Sequence, residues 1–491
     1  MRYLTLALGQ ALPWVLGWSL LAAADWPRGN GPGGPRNHMS DGRAALRLGF
    51  AYVIGVFLLT LWMRLLSLVG IRFGWLSIGL PLVLAAIALS AFAARRQRFA
   101  LPDAAATLRA LFQPTLTDWR RVLWLALVAW LLLRFALLAA GVAWQPLYPW
   151  DAWAQWATKA RVWYELGRIA PFVPADAWLG GASTGGAYFD AAPNYPATMP
   201  LLQVWGCIAL GQWDDAAMNW PWLLLLLSLV LGVYGALRGE GIAPLLALCG
   251  AYAIASLPLL DTHVALAGYA DLPMATTFTL AALAVYRWAM RRDPVDAALA
   301  IALAICCPLI KTPGYVWALL LLPSVIVALM PQRGLKLVCV IFALALFALL
   351  ALARSDVTLL GYHLQLDFNP QWQALGSAYF LSSSWNLLWY GAVAAAVFGA
   401  RRLREPRVAP LAVIVAAGLG FLLFVSWFTN ASAWLAEQTT LNRASLHLAP
   451  LVVVLAIIVW REVMLAPASA VRPSATALTS EASTPVAAQA G

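Results

Sequence analysis

The chain has 491 residues, of which 63% are hydrophobic and only 11% charged, where soluble domains carry about 25% charged residues. That excludes a soluble globular protein, and the absence of the alternating pattern of a membrane barrel predicts an all-α integral membrane fold. The net charge of +11 sits in short loops between apolar runs, which is the pattern of membrane topology and not of a nucleic-acid-binding face.

Apolar runs of about 20 residues, enough to cross a bilayer, recur along nearly the whole chain. They predict about thirteen spans at 3–24, 46–69, 74–93, 121–143, 218–237, 241–260, 271–290, 295–310, 313–330, 335–353, 384–400, 408–428 and 445–464. The first run lacks a strongly basic start, and Arg28, Arg36, Arg43 and Arg47 follow it, so it reads as a retained span with its N-terminus outside. The Gly/Pro stretch 29–35 lacks the Lys-Ser/Thr ending of a phosphate loop and reads as a linker. The apolar piece 199–211 is half a span long. Read as an interfacial or re-entrant helix, it leaves every basic cluster on one side.

Those clusters are Arg95-Arg96-Gln97-Arg98 with Arg120 and Arg121, Arg238, Arg287 with Arg291 and Arg292, Arg333 with Lys336, and Arg401-Arg402-Leu403-Arg404. Their side is the cytoplasm. The expected location is the bacterial inner (plasma) membrane, multi-pass, with loops 144–198, 354–383 and 429–444 in the periplasm. Three parts follow: N-terminal transmembrane helices with basic cytoplasmic loops over 1–120, a transmembrane core over 121–464, and a disordered cytoplasmic tail over 465–491, rich in Ala, Ser, Thr and Pro. Cys207, Cys249, Cys306, Cys307 and Cys339 show no CxxC spacing and read as packing residues.

Ionisable residues at the periplasmic edge are costly and default to function. In Tyr148–Arg161, Asp151, Gln155 and Lys159 share one helical face, with Trp153 and Trp156 on another. Asp151 after a proline is also a good N-cap. Asp261, His263 and the run Gly268-Tyr269-Ala270-Asp271 come next, and Asp271 suits the positive end of the following helix. Lys311, in Leu309-Ile310-Lys311-Thr312-Pro313, opposes the positive-inside rule; it either snorkels or holds a lipid phosphate. Arg443 and His447 are i, i+4 before the last span, where Arg443 either holds an anion or pairs with Glu437. Asp214-Asp215 reads as a helix cap, Asn430-Ala431-Ser432 as a chance glycosylation match, and His363 with Asp367 as too few ligands for a metal. Arg134 lies within a span without an evident partner.

Together these pieces resemble the GT-C superfamily of membrane glycosyltransferases, which use polyprenyl-phosphate-linked sugars, of the mannosyl- or aminoarabinosyl-transferase kind. Trp150-Asp151 stands where that family has an acidic motif on a membrane-parallel helix of the first periplasmic loop. Asn194-Tyr195-Pro196-Ala197-Thr198-Met199-Pro200 is similar to its proline-containing segment, Asp271 to its second acidic residue, Lys311-Thr312-Pro313 to its lysine hairpin, and Arg443 to its basic residue before the last helix. Residues 121–464 follow the family order. The first loop offers Asp151 alone where the family often has paired carboxylates, and threonine replaces glycine in the hairpin.

The resemblance implies inverting transfer of a sugar from a polyprenyl-phosphate donor on the periplasmic side. Asp151 would be the general base, with Asp271 orienting the acceptor or sharing that role. Lys311, Arg443 and His447, with Lys159 and Arg161, would hold the donor phosphate. Gln155, Asn194, Tyr195, Asp261 and His263 would line the sugar or acceptor. The implied partners are the lipid donor, membrane lipid and a glycan, lipid or protein acceptor, without nucleic acid. The metal is left unknown: a divalent cation stays open, and no residue set indicates one. The competing readings are a transporter or flippase of a lipid-linked sugar, for which a convincing internal repeat is missing, and a periplasmic polysaccharide polymerase or ligase.

Overall fold

The computed structural model describes residues 1–27, 41–98, 117–354, 357–359, 362–430, 432 and 439–469. Arg28, Arg36, the stretch 29–35, Ala431, Glu437 and the tail beyond 469 lie outside them. The principal helices are α1 (Arg2–Ala23), α2 (Asp41–Leu68), α3 (Leu80–Arg95), α4 (Asp118–Trp144), α5 (Thr158–Leu166), α6 (Thr198–Leu210), α7 (Trp220–Gly239), α8 (Pro244–Ala255) and α9 (Pro258–Ala265). They continue as α10 (Asp271–Arg291), α11 (Pro294–Cys306), α12 (Gly314–Leu319), α13 (Leu322–Leu329), α14 (Gly334–Arg354), α15 (Leu388–Phe398), α16 (Ala409–Phe428), α17 (Thr439–Leu446) and α18 (Ala449–Ser469). Strand pairing among the described residues is confined to Phe172–Val173 with Tyr188–Phe189, parallel, and Val357–Leu359 with Tyr362–Leu364, antiparallel, apart from one isolated bridge between Leu366 and Thr429.

Among the described residues seven helices are long and apolar enough to cross a membrane, and two bent pairs, α8 with α9 and α17 with α18, bring the number to nine. The expected number was thirteen. Each expected span coincides with helix, but the segments Pro294–Leu309, Gly314–Leu329 and Leu388–Phe398 are short, none exceeding 17 residues. α10 is long enough and too polar. It carries Asp271, Thr276, Thr277, Thr279 and Arg287, and every residue from Asp271 to Arg287 is buried. A helix sheathed on all sides by protein needs no lipid-facing apolar surface, so hydropathy measures its neighbours poorly. α10 contacts α7, α11, α13, α16, α17 and α18 and is the axis of the molecule.

The N-terminal helices are packed into that core. α2 runs along α7, and α1 lies on α2, α3 and α6. Gly49 lies so close to Gly232 that a methyl group on it would meet the α7 backbone, one on Gly232 would meet Leu280 of α10, and Ser228 Oγ donates to the Gly49 carbonyl across the contact. Small residues are what allow such backbone approach between apolar helices. By contrast only 11% of the α4 window and 6% of the α14 window is buried, which puts both at the periphery.

One of the basic clusters, Arg287 with Arg291 and Arg292, gathers neighbouring helix ends around it. Arg287 Nε lies 2.9 Å from Asp296 Oδ1, which also accepts from Trp26 Nε1 at 2.6 Å. Arg47 Nε donates to the Trp26 carbonyl at 2.6 Å, Arg291 Nη2 to the Gly239 carbonyl at 2.6 Å, and Arg292 to the Ala328 carbonyl. Helix ends from α1, α2, α7, α10, α11 and α13 are thereby tied together at one end of the molecule.

Candidate functional site

The other end of α10 opens with Asp271, whose carboxylate is 1% exposed. A carboxylate buried this deeply persists only when paired and hydrogen-bonded. Lys311 Nζ lies 2.8 Å and His447 Nε2 3.1 Å from its Oδ1. Arg443 approaches Oδ2 with both Nε at 2.9 Å and Nη2 at 2.8 Å. The carboxylate has about four acceptor positions, and these four contacts fill them. A fifth group, His263 Nε2, stands 3.8 Å from Oδ2.

Arg443 reaches a second carboxylate as well. Its Nη1 lies 2.7 Å from Asp151 Oδ2, and the two side chains are 27% and 24% exposed, so this contact faces outward while the contacts to Asp271 face inward. One guanidinium therefore joins the two carboxylates Asp151 and Asp271, its five N–H donors being arranged in a planar fork suited to this. Its Cζ stands 4.5 Å from the centroid of the Tyr269 ring, a cation–π contact.

Local sequence explains the convergence. Gly268 has φ of 109°, a left-handed conformation that glycine adopts without strain. Its missing side chain leaves room for Ala152, the residue after Asp151. Trp222 Nε1 donates to the Tyr269 carbonyl at 2.7 Å and holds the turn in place. Lys311 sits at a hairpin closed by Gly314 N–H to the Lys311 carbonyl at 2.8 Å, and a methyl on Gly314 would collide with Cys307. On the far side, Trp385 Nε1 donates to Asn442 Oδ1 at 3.2 Å and Tyr379 and Ser445 hydroxyls meet at 2.8 Å, so α17 is anchored both before and after Arg443. The chain bends by 52° between α17 and α18. His447 sits at that bend, edge-on to Trp317 at 5.2 Å, and still points to the same carboxylate as Arg443.

The expected site residues thus divide. Asp151, Asp271, Lys311, Arg443, His447 and His263 come together. Lys159 does not join them. Residues Ala152–Ala157 form a π-helical turn, which adds a residue per turn and breaks the i, i+4, i+8 alignment of Asp151, Gln155 and Lys159. Lys159 is 1% exposed and donates to the Ala192 carbonyl at 2.6 Å beside Asp190, whose Oδ2 is 3.8 Å away. Burial draws the Lys159 ammonium below its ordinary range and pushes Asp190 above its own. Arg161 pairs with Glu165 at 2.7 Å, with both side chains half exposed. Tyr195 stacks on the buried Trp156, ring centroids 5.1 Å apart, while Asn194 is exposed and Gln155 half-buried. Asp261 pairs with Arg134 of α4, which supplies the partner that the sequence left open.

Neither the cap reading of Asp151 nor the snorkelling reading of Lys311 describes these contacts. Asp151 makes no side-chain cap bond, and Lys311 is held in an ion pair. Asp214 does cap, accepting from the backbone of Ala216 at 3.0 Å and Ala217 at 2.8 Å. The Glu437 partner considered for Arg443 is outside the described residues, as is the side chain of His363. Asp367 Oδ2 accepts from Ser432 at 3.3 Å.

Sequence reasoning missed Tyr269, Trp222, Trp317 and Arg64. Arg64 Nη2 donates to Thr198 Oγ1 at 2.8 Å, and that hydroxyl to the Leu309 carbonyl at 2.5 Å. A cation on α2 is thereby linked to the base of the lysine hairpin. Its signal was an arginine inside an apolar run, the kind of residue that membrane interiors tolerate only with a partner.

Among the described residues no group of three His, Cys, Asp or Glu side chains is arranged to hold a metal ion. The two carboxylates are bridged by cations, so the donor set suits an anion better than a divalent metal. Two imidazole nitrogens beside Asp271, His263 Nε2 and His447 Nδ1, are buried without a hydrogen-bond partner. No protein-family model, curated protein or solved structure matches the chain.

Proposed function

We propose that the chain is a membrane glycosyltransferase that moves a sugar from a polyprenyl-phosphate donor to an acceptor hydroxyl. The observation that carries the reading is the set of Lys311, Arg443 and His447 gathered on Asp271, with Asp151 on the exposed flank of Arg443. Cations preorganised by a buried acid are suited to the charge that develops on a departing phosphate, and in a site of low dielectric they act strongly. The membrane setting fits a lipid-linked donor of the GT-C type, with the site on the periplasmic side of the inner membrane.

In this reading the acceptor oxygen attacks the anomeric carbon and its proton passes to Asp151. The bond from that carbon to the phosphate oxygen breaks, its electron pair leaves with polyprenyl phosphate, and the anomeric centre inverts. The acceptor positions of Asp271 are filled, so it is assigned the role of anchor for the three cations and not that of base. Lys159 holds the Asp190–Ala192 segment and is assigned to the architecture of the loop that carries Tyr195.

The test is sugar transfer by purified protein in lipid, with a panel of polyprenyl-phosphate sugars, comparing wild type with Asp151→Asn. A positioned base contributes about 10²–10⁴-fold, and a loss in that range with donor binding retained is expected. Undiminished turnover in the variant would remove Asp151 from the chemistry. Binding of donor without turnover by wild type, across the acceptors offered, would favour a carrier.

A further inference from the structure

The bridge through Arg443 raises a question that the proposed reaction leaves open. The carboxylate assigned as base is held by one of the cations assigned to the donor. Asp151 Oδ2 accepts from Arg443 Nη1 at 2.7 Å, so the oxygen that faces the cluster is already taken. The three contacts of this guanidinium are unequal. Two of them, from Nε and Nη2, go to a carboxylate that is 1% exposed. The third goes to one that is 24% exposed. Charge–charge attraction weakens as solvent enters, because the effective dielectric rises. The outer contact is therefore the one that a competing anion can take, without drawing Arg443 away from its anchor.

We propose that the Asp151–Arg443 pair is a displaceable latch: a phosphate anion bound between Arg443 and Lys311 takes the Nη1 edge and releases Asp151 to accept the proton of the acceptor. This rests on the reading of the site given above and adds an order to it, donor before acceptor. Several features support the direction of the exchange. Phosphate presents several strong acceptor oxygens to the planar fork of an arginine, and one carboxylate oxygen is the weaker match. Lys311 and Arg443 hold the two oxygens of one carboxylate, so an anion on the outer flank of Asp271 that reaches both meets two cations where Asp151 meets one. Tyr269 flanks the guanidinium face at 4.5 Å, which leaves its edge as the surface for exchange. The latch also spares the protein an unpaired carboxylate beside the membrane before the donor arrives.

The latch makes a prediction that a merely structural pair does not: removing the carboxylate should tighten anion binding. The experiment measures binding of geranyl phosphate, which carries no sugar, to the full chain in lipid nanodiscs, for wild type, Asp151→Asn and Asp271→Asn. The expected result is about tenfold tighter binding in Asp151→Asn and weaker binding in Asp271→Asn, whose cations lose their anchor. Inorganic phosphate, run beside it, should show the same ratio between wild type and Asp151→Asn. A gain confined to the lipid would place the effect in the tail path and overturn the latch. Unchanged or weaker binding in Asp151→Asn, with wild type binding normally, would overturn the latch and leave the transferase reading standing. Failure of folded wild type to bind geranyl phosphate at all would overturn both. Asp151→Ser gives the same comparison if the amide variant does not fold.

Discussion

At one end of α10, Arg287 lies against Asp296 with the two side chains 3% and 0% exposed, and Trp26 and Arg47 close over them. At the other end, Asp271 collects Lys311, Arg443 and His447, and the cluster continues outward to Asp151. The first is a sealed pair, in which one acid meets one base and an indole. The second has more cations than its buried acid needs and a flank open to solvent. Burial alone therefore does not separate architecture from chemistry along this helix. What separates them is the ratio of partners and access from outside, since an ion pair sealed in protein fixes helix register while an open surplus of cations offers binding capacity.

Substitutions at the two ends should test that contrast. Asp271→Ala leaves Lys311 and Arg443 without their buried partner. It should cost about 3–5 kcal/mol of stability, read as thermal unfolding in detergent, and abolish both geranyl phosphate binding and sugar transfer. Asp296→Ala should cost stability in the same range of about 3–5 kcal/mol but leave transfer per folded molecule unchanged at low temperature. Loss of transfer at equal folded fraction would erase the distinction between the ends. Gly268→Ala puts a side chain at φ of 109° and against Ala152. A cost of about 2 kcal/mol is expected, together with a fall in transfer as Asp151 moves from Arg443; transfer equal to wild type would show that the close approach is dispensable.

Lys159→Gln should produce a smaller effect. The Ala192 carbonyl and Asp190 lose a charged donor, for about 1–3 kcal/mol, while binding of geranyl phosphate stays within twofold of wild type. A large loss of binding would return Lys159 to the phosphate site. Arg161→Gln sits at the bottom of the scale. Its pair with Glu165 is half exposed and screened, so less than about 0.5 kcal/mol is expected in unfolding experiments.

The ends of the helices were readable because each carries a charge that an apolar run cannot hide. Asp271, Lys311, Arg443 and His447 were all chosen from the sequence on that ground, and all four meet. Their partners were not readable. Nothing along the chain says that Arg134 on α4 reaches Asp261 on α9, since a sequence shows what a buried charge costs and not which distant residue meets it. Lys159 was misplaced for a different reason. A π-helical turn changes the residue spacing that face arguments assume, and no residue type in Ala152–Ala157 announces one. α10 was read as a span from its apolar run at 271–290, although its threonines and charges make it less apolar than the helices that pass for spans by themselves. Its polarity is affordable because other helices take the place of lipid around it.

The short hairpin of Pro294–Leu309 and Gly314–Leu329 has a consequence for the bilayer itself. Neither segment exceeds 17 residues, so each rises about 25 Å at most, against a hydrocarbon core of about 30 Å. Its base is pinned at the Arg287 end through Asp296 and through the Ala328 carbonyl, so the deficit falls at the Lys311 tip. Lipid meeting so short a hairpin must thin around it or let headgroups and water sink inward. The membrane surface would then dimple over Lys311, which in the proposed reaction shortens the descent of a water-soluble acceptor while the donor's tail remains at its usual depth.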